Sequence, residues 1–246
     1  MQKRILLFLT ACVNPQDMAF TALQDNNLRL KHYIDSISYY LNNTNFKILV
    51  VENTGVDLSF YFDEDSRGRL ECLTFYGNNY DKNLGKGYGE GLILKYAVEH
   101  SVFWADSECI IKVSGRHVVL NLNAIVYLSK LMTNAQWDGV ICEIYNKQKL
   151  AISDIFIGCN DFYVNYLFPN LALINDGQNI YFEHILYRSI RNYINDGGSF
   201  LYLPCPINQV GVSGSTGVRF TRPKFINYFK NLIKSIYFLL CFKKKY

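Results

Sequence analysis

Short apolar segments of strand length recur along the chain and alternate with segments whose apolar residues follow a helical period. The strand-like segments lie at residues 4–10, 46–51, 70–76, 109–113, 137–145, 151–157 and 199–203. The helical segments lie at residues 25–41, 92–98, 121–132, 159–168 and 180–194. Continuous apolar strands that alternate with helices are typical of a largely parallel sheet covered on both faces. The sequence therefore predicts an α/β fold with a mostly parallel, Rossmann-like central sheet.

The charge of the chain is unevenly distributed. The 246 residues carry a net charge of +4, but eight Lys and Arg residues and no Asp or Glu follow residue 218. Residues 1–218 therefore carry a net charge of −4. Half of all residues are hydrophobic, so this acidic body can bury a substantial core. A basic excess confined to one end argues against a nucleic-acid groove, and no nucleic-acid partner is expected.

The basic end forms a second unit in the sequence. Residues 1–218 are predicted to form the folded domain, and residues 219–246 a C-terminal basic amphipathic helix. This tail has an apolar face with several aromatic residues, an opposite face with Lys and Asn, and three consecutive lysines near its end. Its fully apolar piece, residues 236–242, is too short to span a bilayer. We expect the tail to lie on an anionic membrane surface, and packing against the domain is the alternative.

The first residues combine a basic start with an apolar run that reaches Cys12, a pattern that resembles a lipoprotein signal. The segment is shorter than a signal peptide requires, so a first buried strand is the better interpretation. The seven cysteines include no C-x-x-C pair, which argues against a zinc site. An odd number of thiols in apolar segments suits a reducing compartment. The expected location is the cytoplasm, peripheral on the inner face of the cell membrane.

A lysine interrupts the apolar strand at residues 109–113. A buried ammonium group costs several kcal/mol unless it is paired or serves a ligand. Lys112 lies in this strand and Arg116 just beyond it, and ligands of open α/β sheets bind outside the carboxyl ends of strands. The two cations therefore predict a site for a phosphate or carboxylate. The alternative is an edge-strand lysine that reaches solvent and an arginine in a solvated loop.

Other polar or glycine-rich positions could contact the same ligand. Glu52 and Asn53 follow the second strand and could bond a ribose or base, unless they form an ordinary turn. The glycine-rich segment 83–91 opens a helix, where backbone N–H groups can approach an anion, although a flexible turn is the alternative. This segment fits neither the dinucleotide fingerprint nor the Walker loop. Residues 204–219 are expected to form a mobile loop that could close over a ligand.

Five segments in this order resemble bacterial glycosyltransferases of the GT-A type, in particular small enzymes of O-antigen and capsule clusters. The segments are residues 7–15, Arg29 with residues 33–36, residues 50–55, residues 86–91 and residues 110–116. The resemblance extends over residues 1–218 and implies a GT-A-like fold, a nucleotide-sugar donor and a lipid-linked oligosaccharide acceptor. It also implies donor-binding roles for Thr10, Ala11, Asn14, Glu52, Asn53, Lys86, Gly87, Lys112, Arg116 and Arg219.

One departure from that family concerns the metal. Most GT-A enzymes carry an Asp-x-Asp that binds a divalent cation, whereas this chain has residues 112–116 there, and Asp106 with Glu108 is a substitute that precedes the strand. Fixed Lys112 and Arg116 can supply positive charge to a leaving phosphate in place of a metal. We therefore expect metal-independent transfer without a cofactor, while dependence on Mn²⁺ or Mg²⁺ stays open. A CMP-activated sugar of sialic or Kdo type fits this expectation, since such transfer commonly dispenses with a metal.

An inverting transferase needs a carboxylate that takes the proton of the attacking hydroxyl. GT-A relatives place this acid at the start of a late helix, which implies Glu183 or, less well, Asp176, with Asp154 in reserve. The alternative for Glu183 is a surface charge paired with Tyr187 or Arg188. For the whole protein, the alternatives are a non-catalytic relative that binds glycan or scaffolds an assembly complex, and a surface lipoprotein.

Overall fold

A seven-stranded sheet forms the centre of the computed structural model, which describes residues 4–16, 18, 21–63, 65–133, 138–213, 216–220, 223, 227, 229 and 233. The described strands are β1 (Ile5–Ala11), β2 (Lys47–Glu52), β3 (Leu70–Thr74), β4 (Cys109–Ser114), β5 (Val118–Val119), β6 (Gly139–Ile141), β7 (Ile144–Tyr145), β8 (Leu150–Ala151), β9 (Ile155–Cys159), β10 (Ser199–Leu201) and β11 (Gln209–Val210). The central sheet has the order β10-β6-β9-β4-β1-β2-β3. Its neighbouring strands are parallel, except that β9 runs antiparallel to both β4 and β6. The predicted α/β fold with a mostly parallel central sheet is confirmed.

The middle of the sheet is buried on both faces because the sequence supplies continuous apolar strands there. β1 lies between β2 and β4, and Leu7 is in register with Ile48 on one side and Ile111 on the other. Each of these three side chains is 0% exposed. Burial of one such side chain stabilises the fold by roughly 1.5–3 kcal/mol. The prediction of a first buried strand at residues 4–10 is therefore confirmed.

Helices cover the two faces of this sheet. In the described part of the chain they are α1 (Asn26–Asn43), α2 (Gly85–His100), the single-turn α3 (Val102–Ala105), α4 (Leu122–Met132) and α5 (Phe182–Asn195). α2 and α5 bury their apolar residues on one face, and α1 and α4 bury theirs on the other. α1 begins at the predicted cap, because the Asp25 carboxylate accepts the N–H of Leu28 at 2.9 Å.

The chain between α4 and α5 differs from the prediction. The single strand expected at residues 137–145 is divided between β6 and β7, and the one expected at residues 151–157 between β8 and β9. A π-helix, Phe162–Leu167, leads into a 3-10 helix, Phe168–Leu173. Pro169 lies in the first turn of that 3-10 helix, where the missing N–H costs no hydrogen bond, so it opens a new turn instead of ending the structure. Further short 3-10 helices lie at Leu58–Tyr61, Asp65–Gly68, Lys82–Leu84 and Asp176–Gln178.

The segment expected to be a mobile loop, residues 204–219, is partly regular. β11 pairs antiparallel with β5, and an isolated bridge joins Val212 to Arg219. The Phe220 N–H donates to the Gly211 carbonyl at 3.2 Å. The predicted tail, residues 219–246, lies mostly outside the described residues. Among the residues that are described, no helix has both the length and the apolar character needed to cross a membrane.

The carboxyl ends of β1, β2, β3 and β4 meet at one edge of the sheet, and the loops that follow them are joined by backbone hydrogen bonds. The Asn53 N–H donates to Ala11 at 3.2 Å, and the Gly77 N–H donates to Asn53 at 2.9 Å. The Gly115 N–H donates to Thr10 at 3.0 Å. This edge therefore presents polar loop residues from four strands to one place, as expected for a ligand crevice.

Candidate functional site

A solvent-open cleft lies at this edge, between the loops after the first four strands and the first turns of α2 and α5. Its volume is about 190 Å³. Eight of the predicted site residues line it: Thr10, Asn53, Lys86, Gly87, Arg116, Asp154, Asp176 and Glu183. The fold thus brings together most of the residues that the sequence singled out.

A buried arginine of α1 forms part of the cleft wall. Arg29 is 5% exposed, and its Nε and Nη2 both donate to the Cys12 carbonyl, with the Nε bond at 2.8 Å. Its Nη1 donates to the Leu23 carbonyl at 3.1 Å. These acceptors are neutral, and no carboxylate of the described residues pairs with this guanidinium. Arg29 therefore fixes the loop after β1 and adds positive potential to the cleft.

Arg116 brings a second guanidinium to the same side of the cleft. Its charge acts on Cys12 and Tyr33, which lie at the α1 side. Within the described part of the chain its side chain makes no hydrogen bond or ion pair, and its Nη1 is buried without an acceptor. We call Arg29 and Arg116 the arginine wall. A buried guanidinium nitrogen without an acceptor favours the binding of an anion there.

Two buried asparagines line the cleft close to the loop after β1. Asn53 is 2% exposed and Asn78 is 4% exposed, and Oδ1 of each has no hydrogen-bond partner in the described structure. Asn78 is oriented by its Nδ2, which donates to the Asn14 carbonyl at 3.2 Å. Buried acceptors of this kind are normally satisfied, so a ligand that supplies N–H groups, such as a nucleobase, fits this end.

Lys112 lies beneath the cleft and does not line it. It is 0% exposed, and its Nζ pairs with Oε1 of Glu90 and donates to the Ser153 carbonyl at 2.6 Å. The Ser114 hydroxyl lies 3.5 Å from the same nitrogen. The buried ammonium is therefore paired by groups of the protein itself. This placement corrects the expectation that Lys112 presents its charge to a leaving phosphate.

Carboxylates lie above Lys112, on the α2 and α5 side of the cleft. Glu90 accepts the Thr10 hydroxyl at 3.3 Å, and Glu183 accepts the Ser153 hydroxyl at 2.7 Å. Asp154 is 38% exposed at its side chain. We call Glu90, Asp154 and Glu183 the acidic wall. Lys112 bonds Glu90 directly. It also bonds the carbonyl of Ser153, whose hydroxyl donates to Glu183, so it holds both Glu90 and Glu183 in place.

Asp176, in the 3-10 helix Asp176–Gln178, lies against the first turn of α2. The backbone N–H groups of Gly87 and Lys86 donate to its carboxylate, and it is 5% exposed. Burial raises the pKa of this carboxyl above its ordinary value, and these two bonds oppose the rise. α2 begins at Gly85, so the glycine-rich segment is helical, and a carboxylate of the protein satisfies its first N–H groups. This corrects the expectation that these N–H groups are free for an anion.

His117 lies next to the acidic wall. Its Nδ1 is 3.8 Å from Asp154, and its Nε2 is 3.3 Å from the Val212 carbonyl. Burial lowers the pKa of His117, with a further lowering by the Arg116 charge, although Asp154 opposes the shift. The ring is therefore neutral at neutral pH, and the Nε2 contact places its hydrogen on that nitrogen.

Cys12 lines the cleft, but its thiol is not a nucleophile at neutral pH. Burial raises the pKa of the thiol to about 11, even though Arg29 lowers it. None of the six cysteines in the described residues forms a disulfide. Cys12 contributes to the site through its backbone, whose N–H donates to the Tyr33 hydroxyl at 2.8 Å.

Five predicted donor-binding residues do not line the cleft: Ala11, Asn14, Glu52, Lys112 and Arg219. Glu52 is 1% exposed, and its carboxylate accepts the N–H groups of Val13 and Val56, each at 2.9 Å, and that of Thr54 at 2.8 Å. It ties the loops after β1 and β2 together. This corrects the expectation that Glu52 bonds a ribose or base.

The other outlying residues support loops or lie at the surface. The Ala11 carbonyl accepts the N–H of Asn53, and the Asn14 carbonyl accepts Nδ2 of Asn78, so both hold the asparagine pair through the backbone. Arg219 is exposed and lies in the bridge to Val212. None of these three side chains is among those that line the cleft.

The substitute for a metal-binding motif lies at the opposite edge of the sheet. Asp106 pairs with Arg4 at 2.5 Å and with Lys47 at 3.4 Å, next to the amino-terminal ends of β1 and β2. The Glu108 N–H donates to the Arg4 carbonyl at 3.0 Å. Asp106 and Glu108 therefore cannot serve the cleft. In the part of the chain that is described, no group of three or more His, Cys, Asp or Glu could hold a metal ion.

Sequence reasoning did not assign the cleft residues Glu90, His117, Asn78 and Ser153 to the site. In the sequence, Glu90 stands out only because it interrupts the glycine-rich segment 83–91. His117 stands out only because it follows Arg116. Asn78 follows the third strand, and a polar residue after the carboxyl end of a strand could have been predicted to face the ligand crevice. Arg29 was recognised in the resemblance, but its place in the cleft depends on the packing of α1.

The fold class is α/β, with a mostly parallel seven-stranded sheet. No protein-family profile and no curated protein sequence matches the chain significantly. Solved structures similar to this chain include S. aureus TarS, with 9% identity and a TM-score of 0.44 over 77% of this chain and 34% of TarS. Another is a protein from Desulfovibrio desulfuricans G20 assigned as a nucleotide-diphospho-sugar transferase, with 9% identity and a TM-score of 0.43 over 82% of this chain and 80% of that one. The chain thus spans about a third of the length of TarS.

Proposed function

We propose that this protein is a glycosyltransferase that takes a sugar from a nucleotide-sugar donor and transfers it to a hydroxyl of a glycan. The observation that carries the proposal is the division of one cleft by charge. Arg29 belongs to α1, and the charge of Arg116 acts on Tyr33 of the same helix. Glu90 belongs to α2 and Glu183 to α5, and Lys86 of α2 also lines the cleft. A nucleotide sugar has the matching division, with an anionic phosphate group at one end and hydroxyls at the other.

The buried asparagines add the third part of such a ligand. Asn53 and Asn78 offer unpaired acceptors near the loop that Arg29 holds. A base at the asparagines, phosphate at the arginine wall and a sugar at the acidic wall follow the order of groups in a nucleotide sugar. Such a ligand would supply hydrogen-bond partners to Oδ1 of Asn53 and Asn78 and to Nη1 of Arg116, which have none in the described structure.

In the proposed reaction, the bond between the anomeric carbon of the sugar and the phosphate oxygen breaks. Its electron pair stays on the phosphate, where Arg29 and Arg116 stabilise the charge. The acceptor hydroxyl bonds to the anomeric carbon and gives its proton to a carboxylate. Glu183 suits this role because Ser153 orients it at the start of α5, and Asp154 is the second candidate. Asp176 is less suited because it caps α2.

The direct experiment measures nucleotide release and glycan extension. The protein is incubated with UDP, GDP, CMP and dTDP sugars, with and without glycan acceptors, and products are identified by mass spectrometry. The proposal expects release from at least one donor and a loss of about 10²-fold or more for Glu183→Gln. Glycan binding without release from any donor would instead support the non-catalytic alternative.

We also propose that the transfer needs no divalent metal. The two fixed guanidinium groups on one wall support this proposal, since they can balance the charge of the departing phosphate. The rate of nucleotide release should then be the same with EDTA as with Mn²⁺. Loss of activity in EDTA and its return with Mn²⁺ would contradict this part of the proposal alone.

For the acceptor we propose a lipid-linked oligosaccharide of O-antigen or capsule assembly, reached from the cytoplasmic face of the membrane. The support is the basic composition of residues 219–246 and the exposure of Phe229 and Ile233, at 54% and 63%. The protein should float with vesicles that contain phosphatidylglycerol and not with pure phosphatidylcholine. Glutamine at positions 243–245 should weaken this binding, and equal binding to both vesicles would contradict the proposal.

A further inference from the structure

We infer that the donor sugar is neutral and rich in hydroxyls, and that a sugar with a carboxylate is excluded; this inference rests on the function proposed above. It comes from the hydrogen-bonding character of the part of the cleft near Glu90, Asp154 and Glu183. The buried side-chain atoms that have no partner there in the described structure, on Asp176 and His117, accept hydrogen bonds.

Two buried atoms near the acidic wall have no hydrogen-bond partner in the described structure. Asp176 is 5% exposed and His117 is 4% exposed, and both line the cleft. The unpaired atoms are Oδ1 of Asp176 and Nδ1 of His117. Since Nε2 of His117 faces the Val212 carbonyl, that nitrogen carries the hydrogen and Nδ1 has a free lone pair. Both atoms therefore need a donor from the ligand.

The carboxylates of the acidic wall have little positive charge beside them. Glu90 pairs with Lys112, but Glu183 has a neutral hydroxyl, that of Ser153, as its hydrogen-bond donor. Asp154 lies beside Ser114 at 3.4 Å and beside a His117 ring whose pKa is lowered by burial. Two ammonium groups, that of Lys112 below the cleft and that of Lys86 on the first turn of α2, thus face the carboxyl groups of Glu90, Asp154, Asp176 and Glu183. This end of the cleft is negative and supplies acceptors.

A sugar hydroxyl can donate to each of these groups, whereas a sugar carboxylate cannot donate to any of them. A carboxylate would also stand next to like charges in a partly desolvated site, where such contacts are strongly unfavourable. The arginine wall does not relieve this repulsion, because the phosphate of the donor occupies it. The acidic wall therefore selects against sialic, Kdo-like and uronic acid donors. This revises the expectation of a CMP-activated acidic sugar.

The experiment compares donors that share a nucleotide and differ in the charge of the sugar. UDP-glucose is paired with UDP-glucuronic acid and GDP-mannose with GDP-mannuronic acid, and CMP-sialic acid is a further acidic donor. Dissociation constants are measured by calorimetry at one ionic strength. In the pair whose nucleotide binds, the neutral sugar should bind at least tenfold more tightly. Glu183→Gln and Asp154→Asn should each reduce that ratio.

Glu99→Gln is the matched control, because Glu99 lies at the far end of α2 with 52% exposure and should leave the ratio unchanged. Equal or tighter binding of an acidic donor would overturn the inference and leave the proposed function standing. The inference would also be overturned if the ratio of the two dissociation constants were the same in Glu183→Gln and Asp154→Asn as in the wild type. If no nucleotide sugar binds, the proposed function fails, and the inference fails with it.

Discussion

Lys112 is fully buried, and the carboxylate of Glu90 is the charged group that compensates for the burial of its ammonium group. Replacement of Glu90 by Gln removes the negative charge beside the ammonium group and leaves it with neutral acceptors. We expect Glu90→Gln to lower the free energy of unfolding by about 3 kcal/mol. Lys112→Met should cost less, roughly 1–2 kcal/mol, because the Glu90 side chain is 22% exposed and water can reach it. Urea unfolding of the two variants measures this asymmetry.

The double variant sharpens the test of this pair. Glu90→Gln with Lys112→Met should lose less stability than the sum of the two single variants, because neither charge is then left alone. Glu99→Gln, in an exposed pair with Lys95 on the same helix, should change stability by about 0.5 kcal/mol or less. A Glu90→Gln variant as stable as Glu99→Gln would show that the buried pair does not support the fold.

At the residue scale, the sequence predicted that Lys112 is buried but not what it contacts. A lysine within an apolar run requires a partner on physical grounds, and the candidate partners were a ligand or solvent. The actual partner, Glu90, is 22 residues away in the chain and belongs to a helix on one face of the sheet. Such a contact depends on how α2 packs over β4, which local sequence patterns do not contain.

The geometry at the start of α2 depends on a single glycine, Gly85. Gly85 has φ +78°, a conformation that side chains with a Cβ rarely adopt, and an added Cβ would overlap the Asp176 carboxylate. Gly85→Ala should therefore lower the free energy of unfolding by more than about 1 kcal/mol. Gly68→Ala is the control, since no atom lies within 4 Å of its added Cβ. Equal denaturation midpoints for the two variants would contradict this account of the helix start.

The burial of His117 should make the stability of the protein depend on pH. Burial lowers the pKa of His117, so the unfolded chain binds a proton more tightly than the folded one. The contribution of His117 is fully present above the ordinary histidine pKa and is lost as the pH falls below it. His32, whose pKa is also lowered, acts in the same direction, and Asp176, whose pKa is raised, acts in the opposite one.

The His117→Gln variant isolates the part of the pH-dependent stability that His117 contributes. Between about pH 7.5 and 5.5, the wild-type protein should lose more stability than His117→Gln, in which His32 and Asp176 are retained. Chemical denaturation across this range gives both curves. Parallel curves for the two proteins would show that His117 is not held neutral by the fold.

The elements near the amino terminus were predicted well, as were α5 and β10, whereas the elements between α4 and α5 were not. Long apolar runs and a capped helix specify β1, β2, β4 and α1 locally. The antiparallel direction of β9 and the division of residues 137–145 into two strands arise from pairing with distant strands. The glycine-rich start of α2 was expected to be open to an anion, because Asp176 lies 91 residues away from Gly85 and its capping bond is a tertiary contact.

For the whole molecule, the charge pattern in the sequence and the charge pattern in the fold differ. The excess of positive over negative residues in the sequence lies in residues 219–246, and residues 1–218 have a net negative charge. The fold nevertheless gathers Arg29 and Arg116 from this negative body at one side of a cleft whose other side is acidic. The position of the cleft at the carboxyl ends of the strands was predictable from the fold class. The division of that cleft into two walls was not, because it depends on which helix faces each side.

Arg116 should bind the phosphate of a nucleotide sugar. Its side chain has no partner within the described structure, so Arg116→Met should leave the stability of the free protein nearly unchanged. The direct measurement is the melting temperature with nucleotide sugars in EDTA, for the wild type, Arg116→Met and the exposed control Arg188→Met.

At a hundred times its dissociation constant, a true donor should stabilise the wild type and Arg188→Met by about 2.7 kcal/mol, or roughly 5–10 °C. Arg116→Met should show little of this shift at the same donor concentration. An equal shift in Arg116→Met, or no shift for the wild type with any donor, would contradict the account.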